Sequence, residues 1–144
     1  MNARMKRASR LMDLAAKALT SARARVAEAQ KRVADAQAET VRHESAWIAE
    51  AAAFAKGIAS SGELVAQAAH LRTLRLVADQ ASKRLEKAKS DEKACADLLL
   101  EAARDCRKLE LWRNRLAESE KEQEARDDRR QTDELAIRVT RERS

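Results

Sequence analysis

Proline is absent from this 144-residue chain, tyrosine is absent, glycine occurs twice, and Phe54, Trp47 and Trp112 are the whole aromatic content. Without proline or a spread of glycines almost nothing breaks a helix, and the turns that a sheet protein requires are missing. Valine, isoleucine and aromatic residues are sparse and never alternate over a useful run, which argues against strands. No apolar stretch approaches the ~20 residues that span a bilayer, so no membrane insertion is expected. The start, Met1 to Ala16, has the positive charge of a secretory signal but no apolar centre, because Asp13 and Lys17 interrupt it. A cytoplasmic protein is expected. The only cysteines, Cys95 and Cys106, stand eleven residues apart. On one helix that is roughly 16 Å, too far for them to bridge each other. Buried thiols in a reducing compartment are the plain reading.

What is present is charge and alanine. Charged residues make up 38% of the chain, and the 44% that is hydrophobic is mostly alanine, with leucine and valine behind it. This composition specifies an all-α protein of long helices or coiled coil. The formal net charge of +6 is uneven. Residues 1–33 carry nine Lys/Arg against Asp13 and Glu28, whereas residues 118–144 carry seven basic against nine acidic residues.

Both glycines fall in one window, Lys56 to Glu63. Gly57 is placed to end a helix as a left-handed C′ residue. Ser60 with Glu63 has capping-box spacing for the next helix, and Ser61 is an alternative cap. The expected organisation is a single helical hairpin over 1–144, with helix 3–57, turn 57–62 and helix 62–140.

The first helix has a regular seam. Apolar residues step by three and four through Met5, Ala8, Met12, Ala15, Leu19, Ala22, Val26, Ala29, Val33 and Ala36, and the register continues through Thr40, His43, Trp47, Glu50 and Phe54. One core position is large while the other is repeatedly alanine. A seven-residue repeat of this length predicts a coiled coil. Small residues at alternate positions suit close, antiparallel backbones. The second helix answers with Leu64, Gln67, Leu71, Leu74, Ala78, Ala81, Leu85 and Ala88. After Glu92 it resumes at Cys95, Leu99, Ala102, Cys106 and Leu109, and it ends near Leu116. A turn near residue 60 pairs residues whose numbers sum to about 120, which sets Met5 opposite the end of the second seam. Residues 118–144 are left over and helix-prone, so the second helix should overhang the first at the C-terminus by about six to seven turns, at ~3.6 residues per turn.

No catalytic constellation is legible. His43 and His70 have no metal-ligand spacing with each other or with the cysteines, and no Gly-rich phosphate loop occurs. Neither an enzyme nor a cofactor-binding protein is expected. The Lys and Arg residues of the first stretch are dispersed around the helix, with no aromatics to stack bases, which argues against nucleic acid. The polar seam residues Thr40, His43, Glu50, Gln67 and Glu92 are read as register-setting positions, and Trp47 and Trp112 as core.

Several residues carry a resemblance. Leu11-Met12-Asp13-Leu14-Ala15-Ala16-Lys17 is similar to the Leu-x-Asp-Leu-Ala-x-Lys opening of FliJ, and Leu109 followed by Trp112 is similar to its Leu-x-x-Trp. Glu124, Arg126 and Asp133-Glu134-Leu135-Ala136-Ile137-Arg138 resemble its terminal Glu-x-Arg and Asp-Glu-aromatic-Ala-x-Arg run. The chain thus resembles the type III secretion stalk proteins, FliJ and its injectisome counterparts of the YscO/SctO group. The lack of tyrosine on the first helix favours a virulence-type injectisome member. The resemblance implies one copy standing in the pore of a hexameric secretion ATPase at the cytoplasmic face of the export apparatus. It would couple ATP hydrolysis to export, contact the export gate with its Gly57–Gly62 tip foremost, and meet export chaperones. By position, it implies ring contacts at Leu11, Asp13, Glu124, Arg126, Asp133, Glu134 and Arg138, and gate contacts at Leu74, Ala78, Ala81 and Leu85. A self-assembling structural coiled coil, forming homo-oligomers, is the alternative from another class; a basic helical adaptor for nucleic acid is the third.

Overall fold

The computed structural model describes residues 2–57 and 60–143; Met1, Ser144 and the two central turn residues, Ile58 and Ala59, lie outside the described residues. Two helices account for nearly all of it, α1 (Ala3–Lys56) and α2 (Ser61–Arg143). They pack against each other as a helical hairpin. α1 ends one residue earlier than the sequence suggested, while α2 starts one residue earlier and runs three further.

Both helix starts are capped by side chains. The Asn2 side-chain oxygen accepts from the Met5 N–H at 2.8 Å, and its carbonyl accepts from the Lys6 N–H at 3.1 Å. Asn2 is therefore the N-cap of α1, a role the sequence reading did not assign. Ser60 does the same for α2: its hydroxyl oxygen accepts from the Glu63 N–H at 3.3 Å, and its carbonyl from the Leu64 N–H at 2.9 Å. This is the capping arrangement expected from Ser60 and Glu63. Gly57 departs from expectation. No described glycine has positive φ, and the Gly57 N–H still donates to the Ala53 carbonyl at 3.1 Å, continuing the i to i−4 pattern. Gly57 itself therefore does not take the left-handed C′ conformation. An added Cβ at Gly57 would come no closer than 3.4 Å to its neighbours, and one at Gly62 would meet nothing within 4 Å.

The chain divides into two compact units. In the unit formed by residues 20–100, every expected seam position of α1 from Ala22 to Phe54 is buried or half-buried. The α2 seam from Gln67 to Leu99 is likewise covered, and of the expected positions only Leu64 is exposed, at 40%. Cross-helix contacts fix the pairing. The Thr40 hydroxyl lies 3.2 Å from the Ala81 carbonyl, Glu39 lies 3.9 Å from Arg84, and Glu50 lies 4.0 Å from His70. Each pair sums to 120–123, which is the register inferred from the turn.

The other unit comprises residues 1–19 and 101–144. Met5, Ala8, Met12, Ala15 and Leu19 form one side of its seam, and Ala102, Cys106, Leu109 and Leu116 the other. Arg113 and Glu120 extend it, since both are half-buried. Beyond Glu120 every described residue is exposed, although the helix continues to Arg143.

The deepest residues are Ala8, Ala22, Ala29, Ala78, Ala81 and Thr40, and no large side chain among those described is fully buried. Each buried methyl contributes only about 0.8 kcal/mol, so stability comes from many thin layers. Ala81, at 1% exposure, has no room for growth. Ala81→Leu should destabilise the hairpin by ~1–3 kcal/mol in urea unfolding followed by circular dichroism. Gly57→Ala, by contrast, should be neutral or stabilising by ~0.4–1 kcal/mol; a clear loss of stability would indicate a left-handed conformation at that residue after all. Brief trypsin treatment should cleave within 121–143 before it touches 64–117, as read by intact mass.

Candidate functional site

The recesses described below are open to solvent, so what the hairpin offers there is surface. Four features differ from an ordinary charged helical face: a recess beside the start of α1, a recess beside Trp47, a groove over Ala29 and Ala88, and a helical tail exposed on all sides.

The first recess belongs to the unit of residues 1–19 and 101–144. Arg4, Arg7 and Leu11 of α1 and Trp112 and Leu116 of α2 enclose about 360 Å³. Leu11 and Trp112 flank the seam rather than occupy it, and Trp112 stays 36% exposed. This apolar floor under two guanidinium groups can accept an apolar side chain carried beside a carboxylate. Asp13 and Leu14 are exposed on the same segment of α1.

The tail follows on the same unit. Residues 121–143 hold seven basic and seven acidic side chains. Arg126 pairs with Glu122 at 3.8 Å, and the Gln123 side-chain amide donates to Asp127 at 3.2 Å. Such pairs one turn apart support an isolated helix only by ~0.2–0.5 kcal/mol each. Glu124, Arg126, Asp133, Glu134 and Arg138 are all exposed. All seven residues assigned to ring contact therefore fall in one unit. Within it they form two sets, since Leu11 lines the recess with Leu116 whereas the tail positions begin at Glu124.

The four residues assigned to gate contact fall in the unit of residues 20–100 and lie in the seam. Ala78 and Ala81 are 6% and 1% exposed, and Leu74 and Leu85 are half-buried. Their periodicity belongs to the contact with α1, and the helices would have to part for the alanines to touch another protein. The residues turned outward beside them are different. Leu76 is 58% exposed, and it borders an open recess of about 440 Å³ with Trp47, Ala51, Leu71, Arg72, Arg75 and Asp79. The Arg75 guanidinium sits 4.7 Å from the Trp47 ring centroid and lies 3.4 Å from Asp79. Sequence reading placed Trp47 in the core and missed this stacking, because its signal is a cross-helix sum of 122.

The mid-hairpin groove, about 570 Å³, has an alanine and thiol floor of Ala29, Ala88, Ala94 and Cys95. Arg25, Arg32, Arg84 and Lys87 rim it, against Glu28 and Asp91. It exists because the seam residues there are small. Both cysteines are half-buried free thiols.

Among polar seam residues, Thr40 is satisfied: its hydroxyl reaches the Ala36 carbonyl at 2.8 Å as well as Ala81. The Gln67 side-chain oxygen is buried without a protein partner. Among the described residues no cluster of three or more His, Cys, Asp or Glu could hold a metal ion, and no helix is long and apolar enough to cross a membrane.

Comparison with known proteins adds no relative: no family model, curated protein or solved structure matches this chain. Arg75→Ala should cost about 0.5–1 kcal/mol of stability and shift the Trp47 emission, measured in a Trp112→Phe background. An unchanged spectrum would place the guanidinium away from the ring.

Proposed function

We propose that this chain is the central stalk of a type III secretion ATPase complex, with residues 121–143 and the Leu11–Trp112 recess gripping the hexameric ring. The observation that carries the reading is the tail: over twenty residues of helix, exposed on every side, holding the Glu124, Arg126 and Asp133–Arg138 pattern outward. A helix polar all round is poorly stable alone, which suits one that is clasped by another protein. Its alternating charges suit sliding contact, because each exposed ion pair contributes only ~0–1 kcal/mol and can be exchanged between equivalent subunits. The hairpin provides a mount that leaves the tail exposed.

On this reading the gate contact would be made by Leu76 and Arg72 beside Trp47 rather than by the four seam residues. That recess lies in the half of the hairpin that carries the turn.

Mixing the full chain with the type III secretion ATPase of the same organism should promote hexamer formation and raise the hydrolysis rate. A chain ending at Glu120 should keep the hairpin but lose most of the stimulation. Charge reversal at Asp133 and Glu134 together should weaken it several-fold, more so at low salt. Full stimulation by the truncated chain would remove the ring-contact reading.

A further inference from the structure

The recess beside the start of α1 and the end of the tail each carry what the other lacks. Arg4 and Arg7 stand one turn apart beside the half-buried Leu11, and neither makes an ion pair among the described residues. They also crowd the wrong end of a helix. The first turn of α1 holds no acidic residue, while Arg4, Lys6, Arg7 and Arg10 gather positive charge there, where the helix dipole favours an anion. On the tail, Asp133 and Glu134 are exposed carboxylates that likewise make no ion pair among the described residues. Ile137, 53% exposed, follows them by one turn. The step from these carboxylates to Ile137 is one helical turn, and so is the step from Arg7 to Leu11.

We propose that the tail docks in the recess of a second copy of the same chain, with Ile137 on Leu11, Trp112 and Leu116 and the Asp133 and Glu134 carboxylates against Arg4 and Arg7. Its own recess is out of reach. α2 is one helix from Ser61 to Arg143, which carries Ile137 roughly 30 Å beyond Leu116 at ~1.5 Å per residue. The side chains also set the direction of docking. Carboxylates at Arg7 and isoleucine at Leu11 make the incoming tail parallel to α1 and antiparallel to α2. That tail is the end of the second copy's α2, and two α2 helices running antiparallel are what a two-fold axis across them generates. The other tail then meets the other recess in the same way, and the exchange closes at two copies. The first part of each tail lies beside the later part of the other. Residues 118–124 hold four acidic side chains against one basic, whereas residues 126–130 hold three basic against two acidic. The crossing therefore sets unlike charge excesses side by side. Both surfaces that the stalk reading gives to the ring are covered in this pair, so self-paired and ring-bound forms exclude each other. The contact itself needs no ATPase and stands apart from that reading.

Sedimentation equilibrium of the full chain alone, over graded concentrations, should show a monomer–dimer equilibrium. Arg4→Glu with Arg7→Glu, and separately Asp133→Lys with Glu134→Lys, should each weaken the dimer at least ~10-fold. Helicity should be unchanged, since all four side chains are exposed. Mixed in equal amounts, the two charge-reversed proteins should pair again, because each recess then meets a tail of opposite sign. In a Trp47→Phe background the Trp112 emission should move to the blue as the dimer forms, and Ile137→Asp should remove that shift. A chain that stays monomeric throughout overturns the proposal. So does a dimer indifferent to charge reversal, or a pair of reversed proteins that ignore each other when mixed. None of these readings involves the ATPase, so failure of the stalk reading would leave them unchanged.

Discussion

Close approach of two backbones along an alanine-lined seam is the constraint on which the rest of this molecule depends. With Ala22, Ala29, Ala78 and Ala81 at the contact, the helices come near enough for the Thr40 hydroxyl to reach a carbonyl of the opposite helix. Larger residues at these positions would hold the helices apart, and the polar cross-links would lose their reach. The cost of this design is burial. Methyl groups remove little area from water, so no single layer holds the hairpin together and the energy is distributed along its length.

That distribution has consequences for function. A protein whose core is a row of small side chains cannot build an enclosed pocket, because no third element is present to close one. It can build narrow recesses beside the seam, wherever small residues inside leave room between longer flanking ones. The groove over Ala29 and Ala88 and the recess beside Trp47 both arise in this way. Their rims are guanidinium and carboxylate groups, which favours recognition by other proteins through exchangeable polar contacts.

The tail is the converse case. Once α1 has no residue left to pair, α2 continues with nothing against it, and its sequence changes character at the same place. Small and apolar residues at seam spacing give way to charges on all sides, with Leu135, Ile137 and Val139 exposed at 60%, 53% and 46%. Such a segment contributes little to the stability of the hairpin, so its sequence is free to serve a partner. The stalk reading rests on that separation of duties between a self-sufficient seam and a helix that gains its stability from elsewhere.

Much of this was legible in the order of residues alone. The two periods, the capping pair Ser60 and Glu63, and the position of the turn together determined two antiparallel helices, their register and the length of the overhang, because helix periodicity and hairpin geometry leave no other arrangement. The sequence did not distinguish residues that face the partner helix from residues that face another protein. Leu74, Ala78, Ala81 and Leu85 have one spacing that served both as the seam and, through the resemblance, as a gate contact, and packing closes them against α1. Gly57 likewise had the identity of a left-handed cap, but the conformation was decided by the bond its N–H retained to Ala53. Arg75 over Trp47 needed both helices in place, since a contact between residues 28 positions apart has no local signal. Periodicity reports that a face is apolar; what covers that face is decided by which surfaces meet in three dimensions.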